Sequence, residues 1–304
     1  MNKQFENKCK YFLNKLSIEN DGLFPHLTNI KTKIQNTLLF KKDAVFKSIS
    51  DLDLFLNAYL KYQKIINKYL KITKSKNDFD SIEPVMNEFI DAFIEYKSTL
   101  SILNNKNKGT YFSPQSKFEP SVLEEFISIM ISPLINDFKN LKCGPIRAFC
   151  EMLLFTVINS EKELDTRIDL KYKNQDVAIY FESSINGNII QIPVLSIECK
   201  TYIDKTMYES CVSTATRIKK SNTESKFFII AETYDIDDGV KLNDDIDNIF
   251  ILKKSKRSSK ESEFNKTVFH TIYKECSYII NSLSKESTIS VAIDTGALKP
   301  LHAK

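Results

Sequence analysis

Three residues carry the chemistry this sequence suggests. Asp176 precedes the apolar run ValAlaIleTyrPhe, and Glu198 and Lys200 end the run IleIleGlnIleProValLeuSerIleGluCysLys. If the second run is a strand, Glu198 and Lys200 share one face while Ile197 and Cys199 turn to the other. An AsnGlyAsn turn at 186–188 separates the two runs and predicts a hairpin that brings Asp176 alongside Glu198. Two converging carboxylates make a hard-oxygen site suited to Mg2+, which keeps several waters and needs only one or two carboxylate ligands. Phosphodiester hydrolysis uses such a site: the ion polarises a phosphoryl oxygen and acidifies bound water, while a nearby ammonium orients that water or balances developing charge. On spacing alone, a GluXaaLys triplet is equally compatible with solvated strand-end charges.

The elements that must position these residues fall in two stretches. From Asp51 to Ile72 and from Ser81 to Leu103 apolar residues recur at steps of three and four, which predicts a helical hairpin. Ser121 and Glu124 form a capping box ahead of another helix. GlyPro at 144–145 resets the chain, and Ile146–Ile158 reads as one more helix. After about residue 165 the pattern becomes strand-like, at 177–181 and 189–200, followed by a helix over Tyr202–Lys220 and buried strands at Lys226–Glu232 and 248–252. The expected fold is α/β: a mainly helical region over residues 1–145 leads into a mixed-sheet core over residues 146–304, with helices against the sheet.

Composition bounds the reading. The chain has 304 residues, 42% hydrophobic and 27% charged, which are globular proportions and exclude disorder and collagen-like or disulfide-scaffold classes. A net charge of +4 is too small to identify a nucleic-acid partner, so any basic surface is local. The six cysteines include no CxxC pair and there are three histidines, so no zinc site or disulfide framework is indicated. The N-terminal MNKQFENKCK lacks an apolar signal core, and no run approaches the ~18 apolar residues of a membrane span. The expectation is a cytoplasmic protein with no membrane partner.

The order Asp, strand, hairpin, buried strand, GluXaaLys, helix, buried strand resembles the PD-(D/E)XK nuclease superfamily, with Gln175 in place of the proline before the aspartate. A closer resemblance covers about residues 110–235. TyrPheSerProGlnSerLysPheGluProSerValLeuGluGluPhe at 111–126, LysAsnGlnAspValAlaIle at 173–179 and IleGluCysLysThrTyrIleAspLysThrMet at 197–207 are similar to type II restriction endonucleases of the DdeI, BbvCI and Bpu10I kind. The resemblance implies a restriction-endonuclease-like core and Mg2+-dependent cleavage of double-stranded DNA at a CTNAG-related site. It also implies Asp176, Glu198 and Lys200 as catalytic residues, with Asp176, Glu198 and the Cys199 backbone carbonyl as metal ligands. A nearly symmetric site makes a homodimer the default, with a heterodimer the alternative. Two other readings are a repair or junction-resolving nuclease and a non-catalytic DNA-binding or adaptor protein that kept the fold.

Further residues remain to be placed. Asp169 rivals Asp176 as the first metal ligand, and its segment is expected one strand further from Glu198. Glu125 and Glu151, expected on helices before the core, are weaker candidates to assist the metal, while Glu124 is explained as a cap partner. Asp204 is expected to cap the helix that follows it. Candidate DNA contacts are Arg147, Lys205, Arg217, Lys219, Lys220, Lys253, Lys254 and Arg257. Arginine is scarce here, with only Arg147, Arg167, Arg217 and Arg257 available, and it is the usual partner of guanine. The isolated His26, His270 and His302 are assigned no function.

Overall fold

The computed structural model describes residues 3–15, 23–40, 48–76, 78–106, 118–158, 162–236, 241–253 and 263–283. Its N-terminal part is helical: α1 (Lys3–Lys15), α2 (Pro25–Phe40), α3 (Ile49–Thr73), α4 (Phe79–Lys106) and α5 (Pro120–Ile131). The Ser48 side chain accepts the Asp51 amide at 3.1 Å and starts α3, and the Asp78 carboxylate accepts the Ser81 amide at 2.9 Å at the head of α4. The stripe Leu52, Phe55, Tyr59, Ile66 and Tyr69 of α3 is buried with Ile82, Met86, Phe89, Phe93 and Tyr96 of α4, as the helical spacing requires. Among the described residues no helix is long and apolar enough to cross a membrane.

Among the described residues five strands follow, β1 (Lys142–Ile158), β2 (Leu164–Ile185), β3 (Asn188–Asp204), β4 (Lys226–Asp235) and β5 (Asn248–Ile251), with α6 (Lys205–Ser221) between β3 and β4 and α7 (Lys266–Leu283) after β5. They form one mixed sheet in the order β1-β2-β3-β4-β5. The first three are antiparallel neighbours, and β3, β4 and β5 run parallel. The β2–β3 turn is formed by Asn186 and Gly187, both at positive φ (49° and 77°), the geometry that an AsnGly pair tolerates. Between β3 and β4 the chain needs a crossover, which α6 supplies.

Helices cover both faces of the sheet, which explains why β3 and β4 read as continuous apolar runs. On one face Val177, Ile179, Leu195, Ile197, Cys199, Phe228 and Ile230 join the core of the N-terminal helices. On the other, Ala178, Ile203, Phe227 and Ile229 pack with Tyr208, Cys211, Ala215 and Ile218 of α6. A buried ion pair, Lys97 Nζ to Glu232 Oε1 at 2.7 Å, ties α4 to β4 on the first face.

Three expectations need correction. Ile146–Ile158 is not a helix but most of β1, whose partner is the stretch Leu164–Gln175 of β2. A short apolar run is ambiguous between the two states, and here non-local pairing decides. The capping box is absent, because Pro120 occupies the first helical turn and moves the start of α5 upstream. Ser121 is then buried, donating to Phe118 O at 2.9 Å and lying 3.0 Å from His26 Nδ1. Finally, α6 begins at Lys205, since Tyr202–Asp204 still pair with β4.

The β1–β2 pair turns a corner. Ala148 pairs with Lys173 of β2 and also bridges Gln191 of β3, whose own β2 partner is Glu182. In a straight strand Lys173 and Glu182 would stand ~30 Å apart, so the strand must bend between them. The bend coincides with a β-bulge: Gly144 faces Ala178 and Ile146 faces Gln175, leaving Asp176 and Val177 opposite Pro145 alone. Pro145 has no amide to pair, and Gly144 adopts φ 144°, a conformation that disfavours a side chain.

Candidate active site

Asp176 sits at the apex of this corner. It does not open a strand, as expected from sequence, but occupies the bulge in the middle of β2. Bulges re-aim side chains, and this one brings the Asp176 carboxylate over β3. The Cys199 amide donates to Asp176 Oδ2 at 3.0 Å, and Lys200 Nζ lies 3.5 Å from the same oxygen and 2.5 Å from Glu198 Oε2. The three side chains are partly buried, at 26%, 13% and 28% exposure for Asp176, Glu198 and Lys200.

Their electrostatics reflect that crowding. Burial, followed by the Asp176 charge, pushes the Glu198 carboxyl up to about 6 against the pull of Lys200. Burial alone would lower the Lys200 ammonium, but Asp176 and Glu198 together raise it above the ordinary lysine range. Lys200 is therefore held charged between the two carboxylates. Burial holds the Cys199 thiol protonated and Asp176 adds to that effect, which suits a core residue and not a nucleophile.

The donor set fits a hard divalent cation. Among the described residues no group of three or more His, Cys, Asp or Glu side chains converges, so an ion here would rest on Asp176 and Glu198 with backbone carbonyl, water and substrate oxygen, a set that Mg2+ accepts. Gln175 Oε1 and Ser196 Oγ are buried beside the pair without a partner among the described residues, polar capacity that ordered water can fill.

The other acids separate cleanly. Asp169 lies on β2 itself and pairs with Lys171 at 2.5 Å; no turn divides it from Asp176, contrary to expectation, yet seven strand residues set it ~23 Å away. Glu151 is on β1, exposed, and not on a helix. Glu125 is fully buried among the helices, accepting the Leu27 amide at 2.8 Å and the Tyr59 hydroxyl at 3.3 Å. Glu124, dismissed as a cap partner, is the acid on α5 whose charge reaches Cys199. Only an accurate helix start could have revealed that in sequence.

The basic candidates also divide. Asp204 caps α6 by accepting the Met207 amide at 2.8 Å, with Lys205 exposed beside it. Lys219 pairs with Asp247 at 2.8 Å, and Lys253 pairs with Glu232 at 3.2 Å, so both have structural partners. Arg147 lies over the Tyr172 ring, 5.0 Å from its centre. Arg217 and Lys220 are exposed on the last turns of α6. Lys254 and Arg257 lie outside the described residues, as does His302.

Comparison with known proteins identifies the fold and the family. Among curated proteins none matches the chain. Among solved structures, the native BbvCI A2B2 tetramer, at 18% identity, superposes with a TM-score of 0.59 over 83% of this chain and 98% of that one, which establishes a shared fold. The sequence model of the Bpu10I restriction endonuclease family matches residues 115–279, more than half the chain and the stretch that holds Asp176, Glu198 and Lys200. The chain belongs to the Bpu10I restriction endonuclease family and is a type II restriction endonuclease.

Proposed function

We propose that the chain hydrolyses double-stranded DNA at a short, CTNAG-related site with Mg2+, using Asp176, Glu198 and Lys200. The observation that carries this reading is the convergence of Asp176 and Glu198 on one ammonium at the β2 bulge. Asp176, Glu198 and the Cys199 carbonyl would hold the ion, which when bound polarises the scissile phosphate and lowers the pKa of water. The Cys199 amide fixes the Asp176 carboxylate in place. Lys200, kept charged by both acids, orients the attacking water and balances charge on the phosphoryl oxygens. The helical layer over residues 1–145 is assigned to DNA recognition or subunit contact.

Two strands must be cut and each chain brings one cluster, so we assign a homodimer. The outer part of the β1–β2 ribbon supports it. Met152, Leu154 and Ile158 pair across the ribbon with Leu170, Ile168 and Leu164, which makes one face apolar. Leu154, Ile158 and Leu164 are 61%, 71% and 76% exposed, and a two-stranded ribbon is marginal without a covered face. The BbvCI structure is itself of an oligomer.

Incubation of plasmid DNA with the protein tests the activity. Discrete fragments with Mg2+ and intact plasmid in excess chelator are expected. Cutting that survives chelation overturns the metal requirement, and intact plasmid under all conditions favours the non-catalytic reading.

A further inference from the structure

Beside α6, about one helical turn and a half from the catalytic cluster, the structure holds a concavity of about 380 Å3 lined by Glu151, Lys171, Tyr172, Lys173, Arg217 and Lys220. Its walls are the folded-over part of β1–β2 and the last turns of α6, joined where Ser221 Oγ donates to Phe149 O at 2.9 Å. Four cations face one carboxylate across it. Lys171 is partly neutralised by Asp169, but Lys173, Arg217 and Lys220 have no ion-pair partner among the described residues. The neighbouring Lys219, by contrast, is paired with Asp247.

A structural role explains only part of this. Cations on the last turns of α6 complement the helix dipole, which accounts for Arg217 and Lys220. It does not account for Lys173, which comes from a strand and is brought against them by the corner. Unneutralised like charges around one concavity repel each other, and an anion relieves that repulsion. Two rulers place the concavity relative to the cluster. Lys173 is three strand residues before Asp176, ~10 Å away. Cys211, whose thiol feels Glu198, Lys200 and Asp176, is six helical residues before Arg217, ~9 Å along the axis.

We propose that this pocket binds a backbone phosphate of the DNA substrate that flanks the cut on the same duplex. Lys173, Arg217 and Lys220 hold the phosphodiester, and Lys171 widens the positive field. The assignment rests on the nuclease reading above and adds a second anchor that sets which phosphate enters the catalytic cluster.

The test is the salt dependence of binding to two duplexes, one containing a CTNAG sequence and one lacking it, in Ca2+ to suppress cleavage. Wild type is compared with Lys173→Gln, Arg217→Gln, Lys220→Gln and the triple variant, with circular dichroism as a check on folding. The triple variant, which gives up one phosphate contact, is expected to flatten the slope of log K against log salt by ~0.9 and each single substitution by less, with equal loss on both duplexes. A folded triple variant with the wild-type slope overturns the pocket, as does a loss confined to the CTNAG duplex, which would make Arg217 a base reader. Wild type that neither binds nor cuts duplex DNA overturns the nuclease reading itself, whereas wild type that does so beside an unchanged triple variant overturns this inference alone.

Discussion

Burial pushes the Glu125 carboxyl up to about 8, and its partners at Leu27, Tyr59 and His26 lower it only in part. The same surroundings push His26 down to about 3, so the imidazole is neutral, 2.8 Å from the Tyr96 hydroxyl and 3.0 Å from Ser121. These groups specify how α2, α4 and α5 meet, without access to substrate. Because the folded-state value of Glu125 lies above its ordinary 4.5, the stability it contributes is complete below pH 4.5 and is lost as pH rises through about 8. Glu125→Gln keeps an acceptor for the Leu27 amide and cannot ionise. It is expected to melt within a few degrees of wild type at pH 5 and clearly above it at pH 8; a constant difference in Tm across that range would contradict the assignment. Glu124, one residue away, is half-buried, and its charge is felt at the Cys199 thiol.

At the scale of elements, the corner in β1–β2 links local sequence to catalytic geometry. Gly144→Ala introduces a side chain at φ 144°. It should cost about 1–3 kcal/mol of stability and also displace Asp176 at the facing bulge. Cleavage well below the melting temperature is therefore expected to fall at least tenfold; full activity in the destabilised variant would show that the bulge does not aim the carboxylate. Much of this region was legible in sequence where the cause was local. The AsnGlyAsn turn, the alternation around GluXaaLys and the Asp204 cap each depend on a few neighbouring residues. The GlyPro pair marked the right place but was read as a break, since what it bends is a pair of strands and the partner lies some thirty residues on. Ile146–Ile158 failed for the same reason: its apolar run suits either state until Leu164–Gln175 pairs with it. Glu124 was misassigned because Pro120 moved the N-cap two residues upstream, from Ser121 to Glu119, which changes what each first-turn side chain faces.

For the whole molecule, one core joins the N-terminal helices to a face of the sheet, so the helical layer and the strands that carry Asp176 and Glu198 respond together to destabilisation. The uncovered apolar ribbon is where a second copy is expected. Burial of a large aliphatic side chain contributes about 1.5–3 kcal/mol, so Leu154→Lys with Ile158→Lys should shift sedimentation from dimer to monomer and reduce double-strand cleavage more than nicking. A wild-type monomer at micromolar concentration would contradict the dimer, and a stable dimer of the double variant would place its interface elsewhere. The proposed mechanism needs Asp176 to hold the metal with Glu198, and the most direct measurement is plasmid cleavage in Mg2+ by folded Asp176→Ala beside Asp169→Ala. Asp176→Ala is expected to bind DNA without cutting it, while Asp169→Ala, which loses only an ion pair with Lys171, cuts as wild type does. Cleavage by Asp176→Ala together with an inactive Asp169→Ala would contradict the assignment of Asp176 and move the metal site out along the ribbon.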